Sequence, residues 1–162
     1  MSERFLLLER SILHDLAAIE RLYSAIGPTD PGDDGGDEQL IVLGYRLHNL
    51  YNAFENIFQN IASVFENSLD DDARWHAQLL QRMRLDLLPV RPAVIDQAAF
   101  DALDELRRFR HLFRYDYDVE LDPRRLRLVL LKARYLQGVY RPQMERFLAF
   151  LRTLWQEDHR AT

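Results

Sequence analysis

The sequence predicts an all-α protein, an antiparallel bundle of five to six helices. Three observations lead to this prediction. Only 6 Gly and 6 Pro interrupt the 162 residues, and most of them fall in a few groups that divide the chain into helix-sized segments. Apolar residues recur at helical spacing, most clearly between Leu40 and Val64. No alternating strand pattern of useful length is present.

The first predicted helix covers about residues 2 to 25 and ends at Ile26-Gly27-Pro28. The following stretch, from Gly27 to Asp37, consists almost entirely of glycine, proline and aspartate. Such a composition has no apolar side chain to bury. We therefore expect an acidic, mobile loop between the first and second helices.

A heptad pattern defines the second helix, because its apolar residues alternate in steps of three and four. The pattern comprises Leu40, Leu43, Leu47, Leu50, Phe54, Ile57, Ile61 and Val64. We expect this stripe to form the core of the bundle. A dimer interface along the same stripe is the alternative.

The remaining helices follow from capping residues and prolines. Asp70-Asp71-Asp72 offers N-caps for a third helix, Ala73 to Leu88, which Pro89 and Pro92 end.

Asp96 can cap a fourth helix over about residues 97 to 114. Asp122-Pro123 opens a fifth helix, with an N-cap followed by proline at the first helical position. Pro142 is expected to break or kink this helix before a terminal segment that ends near Trp155.

The composition is typical of a single packed domain. Its 162 residues, 48% of them hydrophobic, suit one packed domain, which we divide into an N-terminal helix and loop (1–38), a helical domain (39–156) and a tail (157–162). The absence of cysteine excludes disulfides, thiolate zinc sites, iron–sulfur clusters and a cysteine nucleophile. No apolar run is long enough for a membrane span, so we expect a soluble cytoplasmic protein.

The histidines do not suggest a metal site. Four of them have no partner at metal-ligand spacing, and we interpret each as a surface residue or a satisfied core residue. These are His14, His48, His76 and His159. We expect neither a metal nor another cofactor.

The charge is distributed unevenly. The net charge is −5, which argues against coating of nucleic acid by bulk positive charge. Residues 107–134, however, contain nine basic and four acidic residues. This segment predicts a local anion-binding surface, and an arginine-rich solvated helix face is the alternative.

Arg110 lies in the middle of the apolar stripe of the fourth helix, beside Leu103 and Leu106. An arginine on the core side must be paired, line a cleft or lie at an interface, because an unpaired buried charge costs several kcal/mol. The structural alternative to a functional role is a buried ion pair with Glu55 or Glu66.

Residues 107–114 contain four arginines and one histidine near the end of the fourth helix. Arginines Arg107, Arg108 and Arg114 can hold phosphate there. The next segment, Tyr115-Asp116-Tyr117-Asp118, brings phenolic hydroxyls to the same helix end. Arginine, imidazole and phenol together can bind a phosphodiester and transfer protons.

These residues also carry a family resemblance. Residues 109–117, FRHLFRYDY, resemble the signature of HEPN ribonucleases of the HepT-like toxin group: an arginine, a polar residue, and later a histidine with a tyrosine two positions on. Residues 52–58, 75–80 and 91–95 resemble further HepT-like segments in order. The resemblance covers roughly residues 40–155.

The resemblance implies a HEPN-like helical bundle that forms homodimers and cleaves RNA without a metal ion. In that reaction the 2′-hydroxyl attacks the adjacent phosphate, a histidine assists proton transfer and Arg110 stabilises the charge on phosphorus. From the basic cluster itself we expect Arg107, Arg108 and Arg114 to contact the RNA. Tyr117 matches the tyrosine that a nucleotidyltransferase antitoxin adenylylates in toxin–antitoxin pairs.

Tyr115 departs from the family pattern, because this position is histidine in active members. A phenol with a pKa near 10 is a poor general base at neutral pH compared with an imidazole near 6.5. Two hypotheses follow. The first is a ribonuclease toxin in which His111 takes over the proton transfer of the missing histidine, with Arg110 and Tyr115 as the other catalytic residues. The second is a silent HEPN module that serves as an RNA-binding or protein-interaction scaffold.

Overall fold

Five helices form in the computed structural model, which describes residues 2–28, 30, 36–66, 74–115 and 121–161. They are α1 (Ser2–Ile26), α2 (Asp37–Phe65), α3 (Trp75–Met83), α4 (Gln97–Tyr115) and α5 (Pro123–Arg160). Within these ranges the only extended pairing is an isolated bridge between Leu87 and Arg91. The prediction of an all-α helical bundle is confirmed.

Side-chain hydrogen bonds show that α1 and α2 run antiparallel. Near one end of the pair, Arg46 Nη1 donates to the carbonyl oxygen of Ala25 at 2.8 Å. Near the other end, Asn60 Nδ2 donates to Ser11 Oγ at 3.0 Å. Residues late in α1 therefore lie beside residues early in α2.

Helix α5 also runs antiparallel to α1. The Tyr23 hydroxyl donates to the carbonyl oxygen of Ala133 at 2.7 Å, and Arg152 Nε donates to Glu9 Oε1 at 2.6 Å. The C-terminal end of α1 therefore lies beside the N-terminal halves of both α2 and α5.

The heptad stripe of α2 lies in the core of the single chain, as expected. Its residues from Leu40 to Ile61 are buried, and Val64 is partly buried against them. Helix α1 contributes to the same core through a stripe of its own. That stripe comprises Phe5, Leu8, Ile12, Leu16, Ile19, Tyr23 and Ile26.

Helix α1 ends at a glycine in the left-handed conformation, as many helices do. Gly27 has φ of +57°, and its N–H donates to the Tyr23 carbonyl at 2.9 Å. The predicted mobile loop from Gly27 to Asp37 falls mainly on residues 29 and 31–35, which lie outside the described residues.

The two predicted aspartate caps that can be checked are present. Asp96 Oδ1 accepts from the Ala99 N–H at 2.8 Å, and Asp122 Oδ1 accepts from the Arg124 N–H at 3.0 Å. The predicted caps at 70–72 lie outside the described residues.

Helix α3 is shorter than its predicted extent of Ala73 to Leu88, because it ends at Met83. The reason is the fully buried guanidinium of Arg91, which donates to the Arg82 carbonyl at 3.0 Å and to Glu66 Oε1 at 2.5 Å. These bonds fold the chain after α3 back on itself, where a further helical turn was expected.

The predicted break at Pro142 does not occur, since α5 continues to Arg160. Proline removes the N–H that would bond to the carbonyl four residues earlier, and here that residue is Gly138, which is exposed, so water can reach this part of the helix. Pro142 itself is exposed, while the neighbouring Met144 and Phe147 are buried and hold the second half of the helix on the core. Among the described residues, no helix has the length and apolar character to cross a membrane.

Candidate functional site

Arg110 is buried between α4 and α2, with 7% of its surface exposed. Its Nε donates a hydrogen bond to Oδ1 of Asn52, a residue of α2. The predicted inward orientation of Arg110 is therefore confirmed. Its partner is a neutral amide.

The alternative of a buried ion pair between Arg110 and Glu55 or Glu66 is wrong. Both carboxylates are engaged elsewhere within the described residues. Glu55 accepts from His76, and Glu66 accepts from Arg91.

The bond to Arg110 fixes the orientation of the Asn52 amide. Because a guanidinium only donates, Oδ1 of Asn52 must face Arg110, and Nδ2 then faces His48. The distance from Nδ2 to Nε2 of His48 is 3.1 Å, so Nε2 accepts. In this arrangement the imidazole of His48 is neutral and carries its proton on Nδ1.

Close contact between α2 and α4 continues toward the end of α4. A Cβ at Gly44 would lie 3.0 Å from the ring of Phe113 and 3.5 Å from Phe109, so a larger residue would push this end of α4 away. The ring of Phe113 also lies 5.6 Å from that of His48. Glycine at position 44 thus lets α4, called the motif helix because it carries Arg110 and His111, approach the polar residues of α2.

A second polar contact lies one turn along α2. His76 Nδ1 is 2.9 Å and 2.8 Å from the two carboxylate oxygens of Glu55. Glu55 is 4% exposed, whereas the His76 side chain is 25% exposed. The Trp75 ring stacks on the imidazole with 3.7 Å between the ring centroids.

Tyr51 lies between these two contacts. Burial raises the pKa of Tyr51 well above its ordinary value, and the Glu55 carboxylate beside the hydroxyl raises it further. The positive charges of Arg107 and Arg110 oppose this rise in pKa. The pKa of the Tyr51 hydroxyl is therefore influenced by one carboxylate of α2 and by two arginines of α4.

A model of the HepT-like protein family matches residues 42–151. The chain belongs to the HepT-like family. This family lies within the HEPN superfamily, so the resemblance seen in the sequence is confirmed. Neither a curated protein nor a solved structure matches the chain.

His48, Asn52 and Arg110, together with Glu55 and His76, form the polar network of this site. The HepT-like match covers every residue of this network. It begins in α2, before His48, and ends in α5, well after Arg110. Helix α1 precedes the matched range and packs on it through the shared core. Among the described residues, no three His, Asp or Glu side chains are placed so that they could hold a metal ion.

Two arginines of the HepT-like motif helix are engaged with acidic residues one turn earlier. Arg107 Nη2 and Arg108 Nη2 lie 2.8 Å and 2.7 Å from the Asp104 carboxylate, and Arg108 Nη1 lies 3.4 Å from Glu105. The charges counted in the sequence began at residue 107, so Asp104 and Glu105 were not included. Contact of Arg107 and Arg108 with RNA stays a prediction.

The other predicted residues of the HepT-like motif are placed only in part. His111 is exposed on α4, next to the buried Arg110. Tyr115 is the last residue of α4, but its side chain and that of Arg114 lie outside what the structure describes. Tyr117 falls in the segment 116–120, which also lies outside the described residues.

Sequence reasoning missed three members of the network. Asn52, Glu55 and His76 lie in segments that supported the HepT-like resemblance, but none was predicted to belong to the site. Glu55 was considered only as a counter-ion for Arg110, and His76 was interpreted as a surface or core residue. A signal was present, because positions 48, 52 and 55 place His48, Asn52 and Glu55 on one face of α2. Their partners on α3 and α4 become visible only in the folded chain.

Proposed function

We propose that this HepT-like protein is the ribonuclease toxin of a toxin–antitoxin pair and cleaves RNA without a metal ion. One observation carries the proposal: a nearly buried arginine of the motif helix is anchored through Nε alone to the neutral Asn52. That bond compensates none of the charge on Arg110. Within the described part of the chain, the two terminal nitrogens of Arg110 make no hydrogen bond and can bind a phosphate as a fork.

In the proposed reaction the 2′-oxygen of a ribose attacks the adjacent phosphorus and the bond to the 5′-oxygen breaks. Negative charge builds up on the phosphate oxygens, where the rigid Arg110 guanidinium stabilises it. His111, the imidazole of the motif, is exposed and supplies proton transfer together with Tyr115. The products are a 2′,3′-cyclic phosphate and a 5′-hydroxyl.

The proposed assembly is a homodimer in which two motif helices flank one cleft. An apolar patch on the outer face of α2 supports this arrangement: Ile41, Val42 and Tyr45 are 53%, 45% and 59% exposed. The patch adjoins Gly44, which contacts Phe113 near the end of the motif helix. Burial of the patch by a second chain would bring the two motifs together.

The antitoxin partner is proposed to be a nucleotidyltransferase that adenylylates Tyr117. The support is the place of Tyr117 in the sequence, two residues after α4 ends at Tyr115. A nucleotide added to Tyr117 would introduce negative charge, which competes with RNA for an arginine-rich site. The proposed location of the pair is the cytoplasm, where RNA is available.

A silent HEPN module that binds RNA or a protein is the second candidate. Two observations favour it. Tyr115 stands where active relatives have histidine, and Asp104 partly neutralises Arg107 and Arg108. Such a module would keep the fold and the anion site without turnover.

The substitution Tyr115→His separates the two candidates. If the site is a weakened nuclease, restoring the imidazole raises the rate of cleavage of total RNA in the absence of divalent metal. Tyr135→His, at an exposed tyrosine of α5, is the matched control and leaves the rate unchanged. If the wild-type protein and Tyr115→His both leave RNA intact, the silent-module candidate is correct.

A further inference from the structure

The proposed reaction transfers two protons, and the motif contains one imidazole. A proton must leave the 2′-hydroxyl, and another must reach the departing 5′-oxygen. With tyrosine at position 115, His111 alone cannot carry out both transfers at neutral pH as efficiently as two imidazoles. A second imidazole near Arg110 would remove this difficulty.

His76 has the features of such a group. Glu55, 4% exposed, accepts from its Nδ1 through both carboxylate oxygens, so Nδ1 carries the proton. The opposite nitrogen, Nε2, then has a lone pair that can take up a proton. A buried carboxylate that fixes the tautomer of a partly exposed histidine is an arrangement suited to general base catalysis.

The position of His76 relative to Arg110 follows from α2. Asn52 and Glu55 are three residues apart, so their side chains are neighbours on one helix face, with about 5 to 6 Å between Cβ atoms. Arg110 reaches Asn52 from α4, and His76 reaches Glu55 from α3. The two functional groups therefore approach the same short stretch of α2 from two sides.

We propose that His76 is a catalytic residue of this site and takes the role of general base in place of Tyr115, with Glu55 as its positioning residue. The inference rests on the proposed RNA cleavage. Nε2 of His76 takes the proton of the 2′-hydroxyl as the 2′-oxygen bonds to phosphorus. The bond from phosphorus to the 5′-oxygen breaks, and the His111 imidazolium gives its proton to that oxygen. Water then exchanges protons with the two histidines and restores their starting states.

If His76 has a purely structural role, RNA cleavage does not depend on its Nε2. In that case the pair of His76 and Glu55 only anchors the nine-residue α3 to α2 and satisfies a buried carboxylate. The substitution His76→Asn distinguishes the roles, because the asparagine amide nitrogen occupies the position of Nδ1 and can still donate to Glu55. It has no basic nitrogen in the position of Nε2.

The first test measures RNA cleavage by the full-length protein. His76→Asn is expected to keep its thermal midpoint and to lose about 10²- to 10⁴-fold in rate, the usual contribution of a general base. His159→Asn is the matched control, since His159 also lies against a tryptophan, 4.2 Å from the Trp155 ring, and its Nδ1 lies 3.1 Å from that residue's carbonyl oxygen. An unchanged rate in His76→Asn overturns the proposal.

The second test uses NMR of the imidazoles and does not depend on turnover. Uridine 3′-monophosphate is expected to shift the His76 signals of the wild-type protein, but not those of Arg110→Ala. If the His76 signals do not move while other signals report binding, the proposal is wrong even when the protein cleaves RNA. Loss of cleavage in Arg110→Ala with full cleavage in His76→Asn likewise supports the proposed function and overturns this inference.

The third test addresses Glu55 as the positioning residue. In the wild-type protein, the ¹⁵N shifts of His76 are expected to report a proton on Nδ1. Glu55→Gln can present its amide N–H to Nδ1 and move the proton to Nε2, and the rate is expected to fall with this change of tautomer. A lower rate with an unchanged tautomer contradicts the positioning role.

Discussion

The buried guanidinium of Arg110 is anchored by the amide of Asn52, which in turn donates to His48. Each bond in this chain has a fixed direction, because the guanidinium can only donate. The arrangement holds a cation of the motif helix in one orientation without neutralising it. Preorganisation of this kind is what stabilisation of a developing phosphate charge requires.

Asn52→Ala is expected to destabilise the folded protein by about 1 to 3 kcal/mol. The substitution removes the acceptor of a buried charged donor, and such donors are costly to leave unsatisfied. Urea unfolding measures the change, with Asn49→Ala, a half-buried asparagine of the same helix, as the matched control. Equal effects of the two substitutions would contradict the special role of Asn52.

Glu66→Ala is expected to cost about 3 to 5 kcal/mol of unfolding free energy, since it removes the carboxylate partner of a fully buried arginine. Arg91 is 0% exposed and lies 2.5 Å from Glu66. Thermal unfolding provides the measurement. Glu20→Ala, which breaks the exposed pair with Arg141, is the control and should cost about 1 kcal/mol or less.

Alkaline pH is expected to destabilise the protein through its buried tyrosines. Burial raises the pKa of Tyr23 and of Tyr51 in the folded chain. Above a pH of about 10 the unfolded chain loses these protons while the folded chain keeps them, so the unfolding free energy falls with rising pH. The slope is up to about 1.4 kcal/mol per pH unit for each tyrosine.

Urea unfolding of Tyr23→Phe between about pH 9 and about pH 11 tests this expectation, because the substitution removes one titrating group. The slope should become shallower than in the wild-type protein. Tyr45→Phe, at a tyrosine that is 59% exposed, should leave the slope unchanged. Identical slopes in all three proteins would show that Tyr23 does not contribute to the pH dependence of the unfolding free energy.

Tyr45→Glu is expected to weaken the proposed homodimer, since it places a charge in the exposed patch of α2. Sedimentation across a concentration series should show that the variant dissociates at a higher protein concentration than the wild-type protein does. Leu88→Glu, at a residue that is 65% exposed outside this patch, is the control. A wild-type protein that remains monomeric at high micromolar concentration would contradict the dimer itself.

The fold was predictable from the sequence because its signals are local. Helix α2 follows from its heptad pattern, and Asp96 and Asp122 mark helix starts that the structure contains. The end of α3 was not predictable, since it depends on Arg91 reaching carbonyls and Glu66 across the fold. Distant partners of this kind leave no periodic signal.

The candidate site was predictable from the sequence only in part. Arg110 stands out because a charge within an apolar stripe is visible on a helical projection. Its partner was not, and the carboxylates considered for it proved to serve His76 and Arg91. Asn52 carries no charge, so it is not among the residues that would be considered as a counter-ion for Arg110.

The most direct test of the central claim is RNA cleavage by the wild-type protein and by Arg110→Ala, without divalent metal. The claim is that Arg110 stabilises the phosphate charge in the transition state. It predicts cleavage by the wild-type protein and a loss of about 10²- to 10³-fold in Arg110→Ala, with a smaller loss in RNA affinity. Arg107→Ala, which removes a partly compensated arginine, should lose less. Cleavage at an equal rate by wild-type protein and Arg110→Ala would contradict the claim.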